Sequence, residues 1–132
     1  MDPGSTPGTS TKYDMKNLKP IIIENSRIPV ILSKFAPIEI NAISLSGLVF
    51  CRGTLSDKLK RHETIHFQQQ LELLIIPFYI LYLVYFLLAY KKYRNGHTAY
   101  HAIPFEKEAY GKQLIFDYLS KRKRYNWLKY KL

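Results

Sequence analysis

From Leu73 to Ala89 the chain runs for 17 residues without a charge, and one proline, Pro77, interrupts the run. A transmembrane helix needs about 17–25 apolar residues, so the stretch only reaches the lower limit. As one straight span it would place the segments on either side of it across a bilayer from each other. Pro77 offers a second arrangement, because its ring and its missing N–H break or kink a helix. The run then divides into a short piece before Pro77 and a helix of about 15 residues, near 22 Å long and shorter than a hydrocarbon core of about 30 Å. An apolar helical hairpin over residues 71–93 is therefore expected, with its two ends on one side. The flanks agree: Lys58, Lys60 and Arg61 precede the run and Lys91, Lys92 and Arg94 follow it, so basic residues give no net orientation.

The segment before the run reads "KRHETIHFQQQ", Lys60 to Gln70. Histidines at i and i+4 share one face of a helix and lie close enough to hold one tetrahedral Zn²⁺, while a glutamate at i+1 reaches towards a metal-bound water. In such an H-E-x-x-H helix His62 and His66 are candidate ligands and Glu63 is the candidate general base. The plain alternative is a pair of hydrogen-bonded imidazoles without a metal. Catalytic zinc takes three protein ligands and keeps one open position. Downstream candidates are His97, His101, Glu106 and Glu108. Glu106 is favoured, because "IPFEKEAY" places it in the first turn of a helix; Glu108 stands behind it. Two residues apart on a helix diverge by about 200°, so the two glutamates should not share an ion. Helix-dipole stabilisation is the plain alternative for this acidic pair.

Local signals complete the outline. Residues 1–18 are rich in Gly, Pro, Ser and Thr and read as a disordered tail. Ile21 to Ile23 and Ile28 to Leu32 are β-branched runs punctuated by prolines, which suits edge strands or extended segments. Ile43 and Leu45 alternate with Ser44 and Ser46, a strand pattern that Gly47 breaks. Thr54 to Asp57, "TLSD", has capping-box spacing and predicts a helix from near Leu55 towards Pro77. A second helix is expected from Phe78 to Lys92, then a loop at "RNGHTAYHA", then a helix from Pro104 to about Lys121. Residues 121–132, "KRKRYNWLKYKL", read as a basic, aromatic tail. The fold class is α+β: small N-terminal antiparallel strands, the HExxH helix, the apolar hairpin and a C-terminal helix that supplies the third ligand, in a single domain over 19–120.

Lys and Arg outnumber Asp and Glu by 20 to 10, for a formal charge of +10. That excess favours anionic partners, with a membrane surface preferred over nucleic acid given the apolar run. Tyr79, Tyr82, Tyr85 and Tyr90 suit an interfacial depth. The single cysteine, Cys51, excludes an internal disulfide and reads as a small buried hydrophobe.

The sequence "HETIHFQQ", preceded by "NAISLSGLVFCRG" and followed by "AYHAIPFEKEAY", resembles small gluzincin-type zinc metallopeptidase-like proteins, whose pattern is HExxHxxQ, an apolar span and a P-F-E-x-E-A box. The resemblance extends from about Asn41 to Tyr110. It implies zinc ligands His62, His66 and Glu106, Glu63 as base, Gln69 as the glutamine of HxxQ, and Ala42 to Phe50 as an edge strand to which a peptide substrate adds itself. In related gluzincins the second box is ExxAD; Glu106 and Ala109 match it, and Tyr110 stands where the Asp would be. The expectation is a membrane-associated, zinc-dependent metallopeptidase. The alternative is a non-catalytic membrane or virion-type structural protein with a vestigial or structural metal site.

Overall fold

A computed structural model describes residues 18–36 and 38–132; the expected N-terminal tail lies almost wholly outside the described residues. The architecture is α+β and mostly helical. Three short strands, β1 (Ile21–Ile23), β2 (Ala42–Leu45) and β3 (Leu48–Cys51), form one sheet in the order β1-β3-β2. Among the described residues, six helices follow the strands or lie between them: α1 (Ile28–Ser33), α2 (Asp57–Glu72), α3 (Ile76–Tyr93), α4 (Gly96–Ala102), α5 (Pro104–Lys112) and α6 (Tyr118–Lys121). A 3₁₀ turn at Asn126–Lys129 completes the order of elements.

β2 and β3 form a hairpin through Ser46 and Gly47, both at positive φ (50° and 91°), the mirror-image turn whose twist matches two-residue hairpins. Gly47 is required twice over, since a Cβ there would also approach Phe67 to 3.2 Å. The expected antiparallel set is corrected at β1, which pairs with β3 in parallel, Ile21 opposite Leu48. The run from Ile28 is likewise corrected from extended to helical. Pro29 sits in the first turn of α1, where its fixed φ is favourable, and the Ser33 hydroxyl donates back to its carbonyl at 2.8 Å.

α2 starts two residues later than the capping box suggested, because Ser56 rather than Thr54 is the N-cap and accepts from the Leu59 amide. It ends at Glu72, before Pro77. The break is made by Leu74 and Ile75, both at positive φ, and is closed by the Ile75 amide donating to the Gln70 carbonyl at 2.7 Å. Pro77 instead occupies the first turn of α3. The two helices meet at a bend of 112°, and no single helix among the described residues is long and apolar enough to cross a membrane. The chain's return is made by α4, which packs on α3 through Ala89, Ala99 and Ala102, all buried. Small residues let the two axes approach closely. "RNGHTAYHA" is thus a helix rather than a loop, with the Asn95 side chain accepting from the Thr98 amide as its N-cap.

α5 ends at Lys112 rather than near Lys121, just after Gly111, a weak helix former. The core centres on Phe78, Ile103, Phe105 and Trp127, with Tyr82 and Tyr85 against it. Trp127 therefore fixes the basic C-terminal segment to the domain. Arg122 does the same electrostatically: buried, it donates to the carboxylates of Glu108 and Glu72. Cys51 is buried beside Val49 and Leu55, as a small hydrophobe should be.

Candidate metal centre

The inner face of α2 presents His62 and His66 one turn apart, their ring centroids separated by 4.7 Å. α5 crosses this face and aims Glu106 from its first turn. Glu106 Oε1 lies 3.2 Å from His62 Nε2 and 3.0 Å from His66 Nε2, and the two Nε2 atoms are 3.1 Å apart. All three residues are buried, and the group could hold a metal ion.

Hydrogen bonds around the triangle set which ring nitrogens face it. His66 Nδ1 meets Gln69 Oε1 at 2.8 Å. The Gln69 amide nitrogen is committed elsewhere, donating to Glu108 Oε1 at 2.9 Å and to the Phe105 carbonyl at 3.1 Å. Its oxygen must therefore face the imidazole, which holds the proton on Nδ1 and leaves a lone pair on Nε2. His62 Nδ1 meets Gln113 Oε1 at 2.9 Å in the same manner. The Tyr82 hydroxyl donates to Glu106 Oε2 at 2.7 Å, so the other carboxylate oxygen is the one aimed at the histidines. A Gln113→Ala variant should keep the fold and bind a divalent cation about 10–100-fold more weakly, as titration calorimetry would read.

The electrostatics describe a site built for positive charge. Burial by itself would lower the His66 pKa, but the Glu106 carboxylate raises it to about 9. Burial would raise that of Glu106, yet His66 and His62 hold it well below the usual carboxylate range. A cation and a shared proton are alternative ways to satisfy the same three atoms. Glu63, also buried, has its pKa raised by burial, partly offset by His66 and His62.

Glu63 lies on the wall between two cavities. The larger, about 270 Å³, is mostly apolar and runs between β2 and α3 to His66 and Glu106; Ile43, Tyr79, Tyr82 and Phe86 are among its walls. The smaller, about 200 Å³, reaches His62 from the side of His97, His101 and Tyr110. β2 is an edge strand. Leu45 and Leu48 flank the two-residue turn and so form a hydrogen-bonded pair. The alternation continues to Asn41 and Arg52, where the Arg52 amide donates to the Asn41 carbonyl at 2.9 Å. The backbone groups of Ala42 and Ser44 consequently point to the open edge beside the larger cavity, where the Ser44 carbonyl accepts the Tyr79 hydroxyl at 2.9 Å.

The structure thus brings together His62, His66 and Glu106, with Glu63 beside them. Glu108 points the other way, to Arg122, Tyr118 and Gln69, as the angular separation from Glu106 requires. His97 and His101 meet edge to face with ring centroids 4.5 Å apart, outside the triangle. Tyr110 lies edge-on to His62, with ring centroids 4.4 Å apart. The oxygen that meets His62 Nδ1 comes from Gln113, three residues beyond Tyr110. Tyr79, Tyr82 and Tyr85, expected to face an interface, turn inward: two bond to Ser44 and Glu106 and the third packs on Phe105. Nothing in the sequence marks Tyr82 among its neighbours. Gln113 carries a faint signal, lying two helical turns beyond Glu106. No family model matches the chain, and no similar protein was found among curated proteins or solved structures.

Proposed function

We propose that this chain is a zinc-dependent hydrolase of peptide bonds, in keeping with its resemblance to gluzincins. The observation that carries the reading is the convergence of His62 Nε2, His66 Nε2 and Glu106 Oε1 within 3.0–3.2 Å, beside a cleft that Glu63 also lines. The donor set suits zinc, which takes imidazole and carboxylate ligands at about 2.0–2.2 Å and so spaces tetrahedral ligand atoms about 3.3 Å apart. Bound there, zinc would polarise a carbonyl and lower the pKa of water.

The chain's own residues supply the rest. Gln69 and Gln113 hold the imidazoles with Nε2 inward, and Tyr82 fixes the Glu106 carboxylate. A peptide would lie along the open edge of β2, hydrogen-bonded to the Ala42 backbone and the Ser44 amide, whose carbonyl Tyr79 already engages, with an apolar side chain in the larger cavity. Glu63 takes a proton as the water oxygen bonds to the carbonyl carbon, then gives it to the nitrogen as the C–N bond breaks.

Elemental analysis on wild type beside Glu106→Ala and Glu108→Ala tests the ligand set. The expected result is about one zinc per chain in the wild type, retained by Glu108→Ala and lost by Glu106→Ala. Chelator-sensitive cleavage of peptides with a large apolar residue beside the scissile bond would complete the case. A wild type purified without chelators that holds no zinc would overturn it. The structural alternative predicts zinc without cleavage, and gives no use to Glu63.

A further inference from the structure

α3 is apolar on every side, yet only one side of it is covered. Phe78, Tyr82, Tyr85 and Phe86 face the core. The opposite face carries Ile76, Ile80, Leu83, Val84, Leu87 and Leu88, between 44 % and 70 % exposed. At 100° per residue these six fall within an arc of about 140°, a broad stripe that in a water-facing helix would be charged. At the bend, Leu74 extends the patch and is 80 % exposed. A continuous apolar surface of this kind calls for a partner.

Charge identifies the partner. Between Glu72 and Glu106 there is no acidic residue, and the basic residues of that span, Lys91, Lys92 and Arg94, gather at the end of α3. All three are exposed, and Tyr90 and Tyr93 are exposed beside them. Lys91 continues the angular line of the stripe. An aliphatic stripe that ends in tyrosines and lysines is the pattern of a helix lying in a bilayer interface: the rings sit at headgroup depth and the ammonium groups reach anionic phosphates. A second copy of the chain fits less well, because two molecules of formal charge +10 repel each other.

We propose that the outer face of α3 seats the protein on an anionic lipid bilayer. The helix lies along the boundary between headgroups and acyl chains, with Leu74 and Ile76 dipping at its N-terminal end. At 18 residues it is about 27 Å long and lies in the surface without crossing it. The inward turn of Tyr79, Tyr82 and Tyr85 fits this seating, since it leaves aliphatic side chains for the lipid and keeps the Tyr79 and Tyr82 hydroxyls beside the cleft. The proposal does not depend on hydrolysis.

Vesicle flotation of the full chain tests it, with phosphatidylcholine alone and phosphatidylcholine mixed with phosphatidylserine. Wild type should float with the mixed vesicles and far less with the neutral ones. Ile80→Glu combined with Leu87→Glu changes only exposed positions, so circular dichroism should match wild type while partitioning falls about a hundredfold. Lys91→Glu with Lys92→Glu should remove the preference for the anionic vesicles, a loss of about tenfold or more. The proposal is overturned if wild type floats with neither vesicle, or if the folded double-glutamate variant floats as wild type does. It is equally overturned if wild type sediments as a dimer without binding vesicles and the double-glutamate variant sediments as a monomer, which would make the occupant a second copy.

Discussion

On the proposed mechanism, replacing Glu63 with glutamine should lower peptide hydrolysis by about 10²–10⁴-fold while the zinc content stays at the wild-type level. Glutamine keeps the shape and the hydrogen-bonding reach of the side chain but cannot take up a proton. Glu63 borders both cavities and is not among the three converging ligand atoms, so its loss should remove the chemistry and leave the metal. The fold should also be unharmed, since the change removes a charge from a buried position. Steady-state cleavage and elemental analysis on one preparation give both readouts. Activity close to wild type would exclude Glu63 as the base. Loss of zinc together with activity would make it a ligand or a support for one.

The largest loss of stability should follow Glu108→Ala. Arg122 is buried and forks between Glu108, at 3.0 Å from its terminal nitrogen, and Glu72, at 3.1 Å. The Tyr118 hydroxyl adds a bond to Glu108 at 2.6 Å. Removing one partner of a buried ion pair leaves the other charge desolvated, which costs about 3–5 kcal/mol. The midpoint of thermal unfolding should fall by on the order of 10 °C. Metal-free protein should be used for wild type and variant, so that a change in metal affinity passed on through Gln69 does not enter the difference. Glu39→Ala, which breaks the exposed contact to Arg52, is the control and should leave the melt unchanged. A Glu108 variant that melts like this control would show that water reaches Arg122 and that the pair does not secure the C-terminal segment.

The convergence of His62, His66 and Glu106 was legible in the sequence because its geometry is local or nearly so. His62 and His66 are one turn apart on a helix, and Pro104 announces the helix that carries Glu106 in its first turn. The angular divergence of Glu106 and Glu108 was legible for the same reason, although the purpose of Glu108 was not. Its partner Arg122 stands in a run of four basic residues that reads as a solvated tail, and only tertiary packing singles it out. The helix break was misplaced because Pro77 is the louder signal. The turn is made by Leu74 and Ile75, residues that rarely take positive φ and give no local warning of it. Likewise Ile28 to Ser33 carries β-branched residues that favour strands, but Pro29 and Ser33 close a helical turn around them. At Asn95-Gly96 the pair serves as a helix cap instead of opening a loop, because the alanines that follow have Ala89 to pack on.

His66 and Glu106 touch across an interval of 40 residues, and the intervening chain is α3, α4 and the bend between α2 and α3. Closing an interval of that length costs conformational entropy that two imidazoles and a carboxylate do not recover by themselves. An ion bound at their meeting point would act as a clasp, adding its own binding free energy to folding, about 2.7 kcal/mol when present at a hundred times its dissociation constant. Metal supply would then govern how long the domain survives a protease. The clasped elements are the cleft walls, so a molecule starved of metal would tend to open along the cleft between β2 and α3.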